Sequence, residues 1–268
     1  MPESDLDLLT RAAFAAGEIA QAYRARGPQV VTEKPGGAGP VTEADLAVNR
    51  MLEDVLRSAR PDHGWLSEES ADDPARLRTR HCFIIDPIDG TRAFIAGDTG
   101  FSHSLAIAQG GTVVAAVVHL PARGLTYAAA AGQPATLNGA PIRASAARLE
   151  SGASVLAARP ALEAAQWPGG VPPLTRAFRT SLAWRLCLVA EGRFDAMVTL
   201  RDTWEWDVAA GMLIAAQAGA VVSDAAGAGL RFNAPHPQTA GIMAAPPALH
   251  RQLIGRRTTI APHPDPTP

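Results

Sequence analysis

Residues 83–94 read FIIDPIDGTRAF. An apolar run delivers two carboxylates, Asp86 and Asp89, and then Gly90 and Thr91. Pro87 fixes the backbone after Asp86 and removes one N–H. The turn can set both acids on one side, with the Ile88 carbonyl beside them. The N–H groups of Gly90 and Thr91 would be free to meet an anion if a helical turn begins there. Cation ligands next to an anion pocket suit metal-assisted phosphate hydrolysis. The same stretch also reads as an acidic surface turn, because Asp-Pro and Asp-Gly are ordinary turn dipeptides.

Other acids fall at comparable places. Asp45, the pair Glu68/Glu69 and Asp207 each lie at the expected end of a strand or start of a helix. Such carboxylates can converge on one point, and hard cations such as Mg²⁺ prefer oxygen ligands. Lys34 is the single lysine among 24 basic residues, which suggests a role that needs lysine. The spacing D-x-x-D-G-T is one residue longer than the D-x-D-G-T of aspartyl-phosphate phosphatases, and no lysine follows Lys34. No HExxH, GxSxG, Walker lysine motif or GxGxxG after a strand occurs, and the seven histidines read as structural.

The elements that must position these acids follow from periodicity. Ser4 and Asp7 form a capping-box pair before a helix carrying Leu6, Leu9, Ala13, Ala16 and Ala20, which runs to about Tyr23. Residues 33–41 are a Gly/Pro-rich loop. Thr42 and Asp45 start a second helix, with Val48, Leu52 and Val55 on one face and Pro61 as its stop. Short strands are expected at 63–70 and 82–85. Strands at 102–109, 112–120, 125–130 and 135–137 follow, with Asn138-Gly139 as a hairpin turn.

Beyond residue 146 strands and helices alternate. SVLAAR, FDAMVTL and AVVSD read as strands, and 182–191 and 208–218 as helices. The expected fold class is α/β, with an α+β first half (1–145) that holds most of the acids and an α/β second half (146–268) that supplies Asp207. Trp204 and Trp206 read as packing residues, and the proline-rich tail 261–268 as disordered.

Composition narrows the function. The 268 residues are 47% hydrophobic with a net charge of −2, which suits a globular protein and leaves no basic field for nucleic acid or an anionic membrane. Cys82 and Cys187 are the only cysteines and read as buried thiols in a reducing compartment. The acidic N-terminus lacks a signal-peptide pattern, so a cytoplasmic location is expected.

Lys34 with PVTEAD (40–45), WLSEES (65–70), FIIDPIDGTRAF, CLVAEGRFDA (187–196) and WDVAAGMLIAAQAGA (206–220), in this order, resemble the inositol monophosphatase superfamily of Mg²⁺-dependent, lithium-sensitive phosphomonoesterases. The resemblance implies a layered αβαβα sandwich, a homodimer and two or three Mg²⁺ ions. It implies Glu68, Asp86 and the Ile88 carbonyl as ligands of one metal, and Asp86, Asp89 and Asp207 as ligands of a second. A third, weaker metal would share Glu68, with Glu69 as the nearest competitor for that register. Gly90 and Thr91 N–H groups would hold phosphate. Glu68 and Thr91 would position and deprotonate water, Asp45 would bond to Thr91, and Lys34 would be the lysine of a mobile loop.

The resemblance leaves two substrate branches open. Arg92 after Thr91, Arg185 in SLAWRLCLVAEG and Leu200 in place of an acid resemble the 3'(2'),5'-bisphosphate nucleotidases. Gly36, a loop one residue longer, and Arg159 without its usual Ser and His neighbours depart from them. Inositol monophosphate, or another sugar-like phosphate, is the alternative, and a metal-binding relative without turnover is the reading from another class.

Overall fold

The computed structural model describes residues 3–34, 36 and 39–258. The expectation for the tail 261–268 and part of the 33–41 loop therefore lies outside the described residues.

Two helices open the chain, α1 (Asp5–Ala25) and α2 (Glu43–Ala59). Ser4 caps α1 by accepting from the Asp7 N–H. Thr42 and Asp45 form the reciprocal capping box of α2. Between them β1 (Val31–Glu33) and β2 (Pro40–Thr42) pair as an antiparallel ribbon, an element the loop composition did not reveal. The ribbon holds Lys34 at its edge.

A seven-stranded sheet follows: β3 (Gly64–Ser67), β4 (His81–Asp89), β5 (Ser102–Gln109), β6 (Thr112–Leu120), β7 (Leu125–Ala130), β8 (Thr136–Leu137) and β9 (Ala140–Pro141). β3 and β4 are parallel and the remaining pairs antiparallel. Asn138 and Gly139 both take positive φ in the β8–β9 turn, as an Asn-Gly hairpin requires. Both faces of the sheet are covered, so its strands read as nearly unbroken apolar runs. Phe83, Ile85, Leu105, Ile107 and Val117 point to α1 and α2. Ile84, Ala106, Ala116 and Val118 point to the other side.

On that other side lie α4 (Leu182–Ala190) and α5 (Glu205–Gln217). Gly211 permits their close approach: a Cβ there would stand 2.7 Å from the Leu186 Cβ. Beneath them runs a second sheet in the order β11 (Thr175–Ala177), β10 (Ser154–Ala157), β12 (Ala196–Thr199), β16 (Ile242–Ala245), β14 (Val221–Ser223). The first three strands are parallel, and β16 and β14 complete the sheet in antiparallel pairing. Its far face, with Val155, Val198 and Met243, is closed by α6 (Pro247–Thr258) through Leu249 and Leu253. Helices, sheet, helices, sheet and helix thus make the five expected layers.

Helix α5 starts at Glu205, three residues ahead of the sequence reading. Its N-terminus is anchored by β13 (Thr203–Trp204), paired with β15 (Gln238–Thr239). Among the described residues no helix is long and apolar enough to cross a membrane. Cys82 and Cys187 are buried free thiols.

Candidate active site

The acids meet where β3 and β4 end, at the rim of a 670 Å³ cavity shared by both sheets' connections. One carboxylate oxygen from each of Glu68, Asp86 and Asp207 lies within 4.8 Å of the others. Glu68 follows the last residue of β3. Asp86 is carried by β4, whose register with β5 breaks between Asp86 and Asp89. This irregularity frees the two acids from strict alternation. Asp207 sits in the first turn of α5, where the helix dipole favours a carboxylate.

Asp86 is 1% exposed, and its Oδ1 has no hydrogen-bond partner. A buried carboxylate without a donor is costly unless it is neutralised by a proton or a cation. Burial, then Glu68, Asp89 and Asp207, push the Asp86 carboxyl well above the usual range. Burial, Asp89 and Glu68 do the same to Asp207. The donor set is all carboxylate oxygen, which fits a hard divalent cation.

Asp89 reaches the same cavity but is not one of the three clustered carboxylates. Its Oδ2 accepts from the Ser181 hydroxyl at 2.6 Å and the Ala183 N–H at 2.8 Å, and its Oδ1 from the Leu182 N–H at 3.3 Å. It thereby ties β4 to the N-terminus of α4. Burial raises its carboxyl to about 6 despite these bonds.

Lys34 reaches in from the β1–β2 ribbon. Its Nζ lies 2.7 Å from Glu68 Oε1 and 2.7 Å from Glu69 Oε1. Burial lifts Glu69 to about 7 even against the lysine.

The anion side is built from Gly90, Thr91 and α3 (Thr91–Ile95). Gly90 adopts φ +100°, and a Cβ there would approach the Gly100 carbonyl to 3.2 Å. Only glycine enters this turn without strain. First-turn N–H groups have no intrahelical acceptor, so those of Gly90 and Thr91 are open to a ligand. The Thr91 hydroxyl lies 3.3 Å from Asp45 Oδ1 and 3.2 Å from the Ile88 carbonyl. Asp45 Oδ2 accepts from the Thr42 N–H, so Asp45 caps α2 and touches Thr91 at once. Asp45 stands behind the cavity wall, and the Ile88 side chain is in the core.

Basic and aromatic side chains share the cavity wall with the acids, Arg92 and Arg185 among them. Arg201, Phe178, Trp204 and Trp206, which the sequence reading had not placed at the site, line it too. Arg185 is buried and donates Nε to the Arg179 carbonyl at 2.6 Å and Nη2 to that of Thr180 at 3.4 Å. Burial pulls its guanidinium down to about 10, with Asp89 opposing. Trp204 lies three residues before Asp207, a spacing that could have drawn attention to it.

Fold and site together define a layered αβ protein with a carboxylate centre facing the start of a short helix. The profile of the inositol monophosphatase family matches residues 1–261. An inositol-1-monophosphatase of Rhizobium meliloti is 33% identical over 85% of this chain and 88% of its own. The 3'(2'),5'-bisphosphate nucleotidase CysQ of Escherichia coli is 32% identical over 85% of this chain and 94% of its own. The crystal structure of the extragenic suppressor protein suhB from Bartonella henselae superposes with a TM-score of 0.79. It is 27% identical and covers 94% of this chain and 98% of its own. The chain belongs to the inositol monophosphatase family and is a metal-dependent phosphatase.

Proposed function

We propose that the enzyme is a Mg²⁺-dependent phosphomonoesterase that removes the 3'-phosphate of adenosine 3'(2'),5'-bisphosphate by attack of water. The observation that carries the hydrolytic reading is the convergence of Glu68, Asp86 and Asp207 around an Asp86 oxygen that has no partner. Glu68, Asp86 and the Ile88 carbonyl would hold one Mg²⁺, and Asp86, Asp89 and Asp207 a second, with Glu68 shared by a third. A carboxylate offers about four lone-pair sites, so Asp89 retains capacity beyond its bonds to α4. When bound, the ions supply charge that offsets the phosphate dianion, acidify water and stabilise the departing alkoxide.

The chain's own residues do the positioning. Gly90 and Thr91 N–H groups receive phosphate oxygens. The Thr91 hydroxyl, held by Asp45, and the Glu68 carboxylate orient the attacking water, and Glu68 takes its proton.

Three arginines line the same cavity as the acids, Arg92, Arg185 and Arg201. Guanidinium groups pair well with phosphate oxygens, which supports a substrate with a second phosphate. A sugar-like monophosphate is the second reading. It is favoured by the commitment of Arg185 Nε and Nη2 to backbone carbonyls and by the inositol-1-monophosphatase relative. Parallel hydrolysis of adenosine 3',5'-bisphosphate and inositol 1-phosphate with Mg²⁺ tests the choice. A tenfold or greater preference for inositol 1-phosphate overturns it, and absence of phosphate release from either leaves a non-catalytic metal-binding relative. The homodimer expected from the resemblance is checked by sedimentation.

A further inference from the structure

The substrate cavity keeps two large aromatic rings open to solvent. Trp204 is 37% exposed and Phe178 is 47% exposed, and both line the cavity that holds Asp86 and Asp207. Trp206, which lines the same cavity, stacks on Trp204 with ring centroids 4.7 Å apart and planes 8° from parallel. His236 tilts toward Trp204 at 5.8 Å. Phe178 carries the Arg185 guanidinium over its ring at 4.3 Å.

The placement of Trp204 is rigid. It pairs with Gln238 in the β13–β15 ribbon and is the N-cap residue of α5. Glu205, the next residue, is fully buried and accepts the N–H groups of Asn233 and Ala234. The backbone that carries the indole is therefore fixed relative to Asp207, three positions on. An indole left partly bare forgoes the gain of burial, and two such rings at one polar cavity point to a ligand that covers them.

Flat apolar faces beside guanidinium groups offer an open ring surface and positive charge together. They suit a planar ring joined to anionic groups, because aromatic faces stack on nucleobases regardless of base identity. We propose that Trp204 is the stacking platform for a nucleobase and sets the preference of this enzyme for nucleotides over polyol phosphates. The proposal rests on the phosphomonoesterase reading and adds a specificity-determining residue to it. Trp206 acts through Trp204 as a positioning residue.

The test compares the native enzyme with Trp204→Ala and Trp204→Phe on adenosine 3',5'-bisphosphate and inositol 1-phosphate. Binding of adenosine 3',5'-bisphosphate is measured separately by calorimetry and by quenching of indole fluorescence. For Trp204→Ala, KM for the nucleotide should rise by about tenfold with a much smaller change in kcat. The ratio of kcat/KM between nucleotide and inositol phosphate should fall by a similar factor, and Trp204→Phe should restore most of both. Equal losses on the two substrates, or an unchanged KM for the nucleotide, overturn the proposal. If no substrate is turned over, the phosphatase reading fails by itself. The stacking platform is then decided by binding: nucleotide affinity lost in Trp204→Ala supports it, and equal affinity or no binding overturns it.

Discussion

Lys34 Nζ and Glu68 Oε1 are 2.7 Å apart, and the same ammonium touches Glu69 Oε1 at the same distance. The only lysine of the chain thus places a positive charge beside the clustered carboxylates. A cation bound by Glu68 must share it with this ammonium, and like charges at such range repel even when screened. Replacing Lys34 by Gln should therefore tighten Mg²⁺ binding, by about fivefold for an interaction of roughly 1 kcal/mol at a partly exposed site. Calorimetric titration with Mg²⁺ measures this directly, and weaker binding in the variant would contradict it.

The buried acids set a pH dependence for the metal-free protein. Burial and then neighbouring carboxylates hold Asp86 and Asp207 well above the ordinary range, and burial brings Asp89 to about 6. The folded state keeps protons that the unfolded chain has released, so stability falls as pH rises through these values. His103, forced down to about 3 by burial, gives the opposite slope below its ordinary value, so the carboxyl contribution is read as a difference between two variants that share it. In chelator, the urea midpoint of the native protein should fall relative to that of Asp86→Asn as pH rises from the ordinary carboxylate range, about 4, through about 6. The same variant should lose Mg²⁺-dependent phosphate release while staying folded. Near-normal turnover would sink the assignment of Asp86.

How much of this could be read from the sequence depends on range. Asp86, Asp89, Gly90 and Thr91 are neighbours, so one turn sets their geometry and their spacing reveals it. The capping boxes at Ser4 and Thr42 are local for the same reason. Glu68 and Asp207 lie far apart in the chain; their places at element ends allowed them to converge, and only the resemblance gave them ligand roles. The partners of Asp89 come from Ser181 and α4, which no pattern near Asp89 announces. Strand β16 is four small or apolar residues between Gly241 and Pro246, too short to show a period, yet it lies inside the second sheet. Phe178 reaches the cavity from the β11–α4 connection, and Arg201 and Trp204 from the segment between β12 and α5.

A buried network holds the start of α5 in place. Arg76 pairs with Asp72 through Nε and Nη2. It also donates to Asn233 Oδ1 at 2.6 Å and to the Ala234 carbonyl at 2.9 Å. The N–H groups of these two residues end on Glu205, at 2.6 Å and 3.0 Å. Glu205→Ala would leave two part-buried N–H donors without acceptors, a loss of about 2 kcal/mol. Urea unfolding should show it, with a smaller loss for Glu205→Gln. Because Asp207 is two residues further along the helix, Mg²⁺ affinity should weaken in Glu205→Ala as well. Unchanged affinity in a destabilised variant would separate the network from the site.

The Thr91 hydroxyl has two acceptors, Asp45 Oδ1 at 3.3 Å and the Ile88 carbonyl at 3.2 Å. Asp45 is itself fixed by the Thr42 N–H at 2.9 Å, so the orientation of the hydroxyl is set from the capping box of α2. If the hydroxyl steers the attacking water, Thr91→Val should lower kcat by about 10²-fold or more, in the range of lost general-base assistance. Thr91→Ser keeps the oxygen and should retain most of the rate. Asp45→Asn disturbs the cap, at about 1 kcal/mol, and also releases Thr91. It should lower kcat more than that loss of stability explains. Steady-state rates at saturating Mg²⁺ alongside thermal unfolding separate the two effects. Equal rates for Thr91→Val and Thr91→Ser would remove the hydroxyl from the mechanism and leave Glu68 as the only side chain acting on the water.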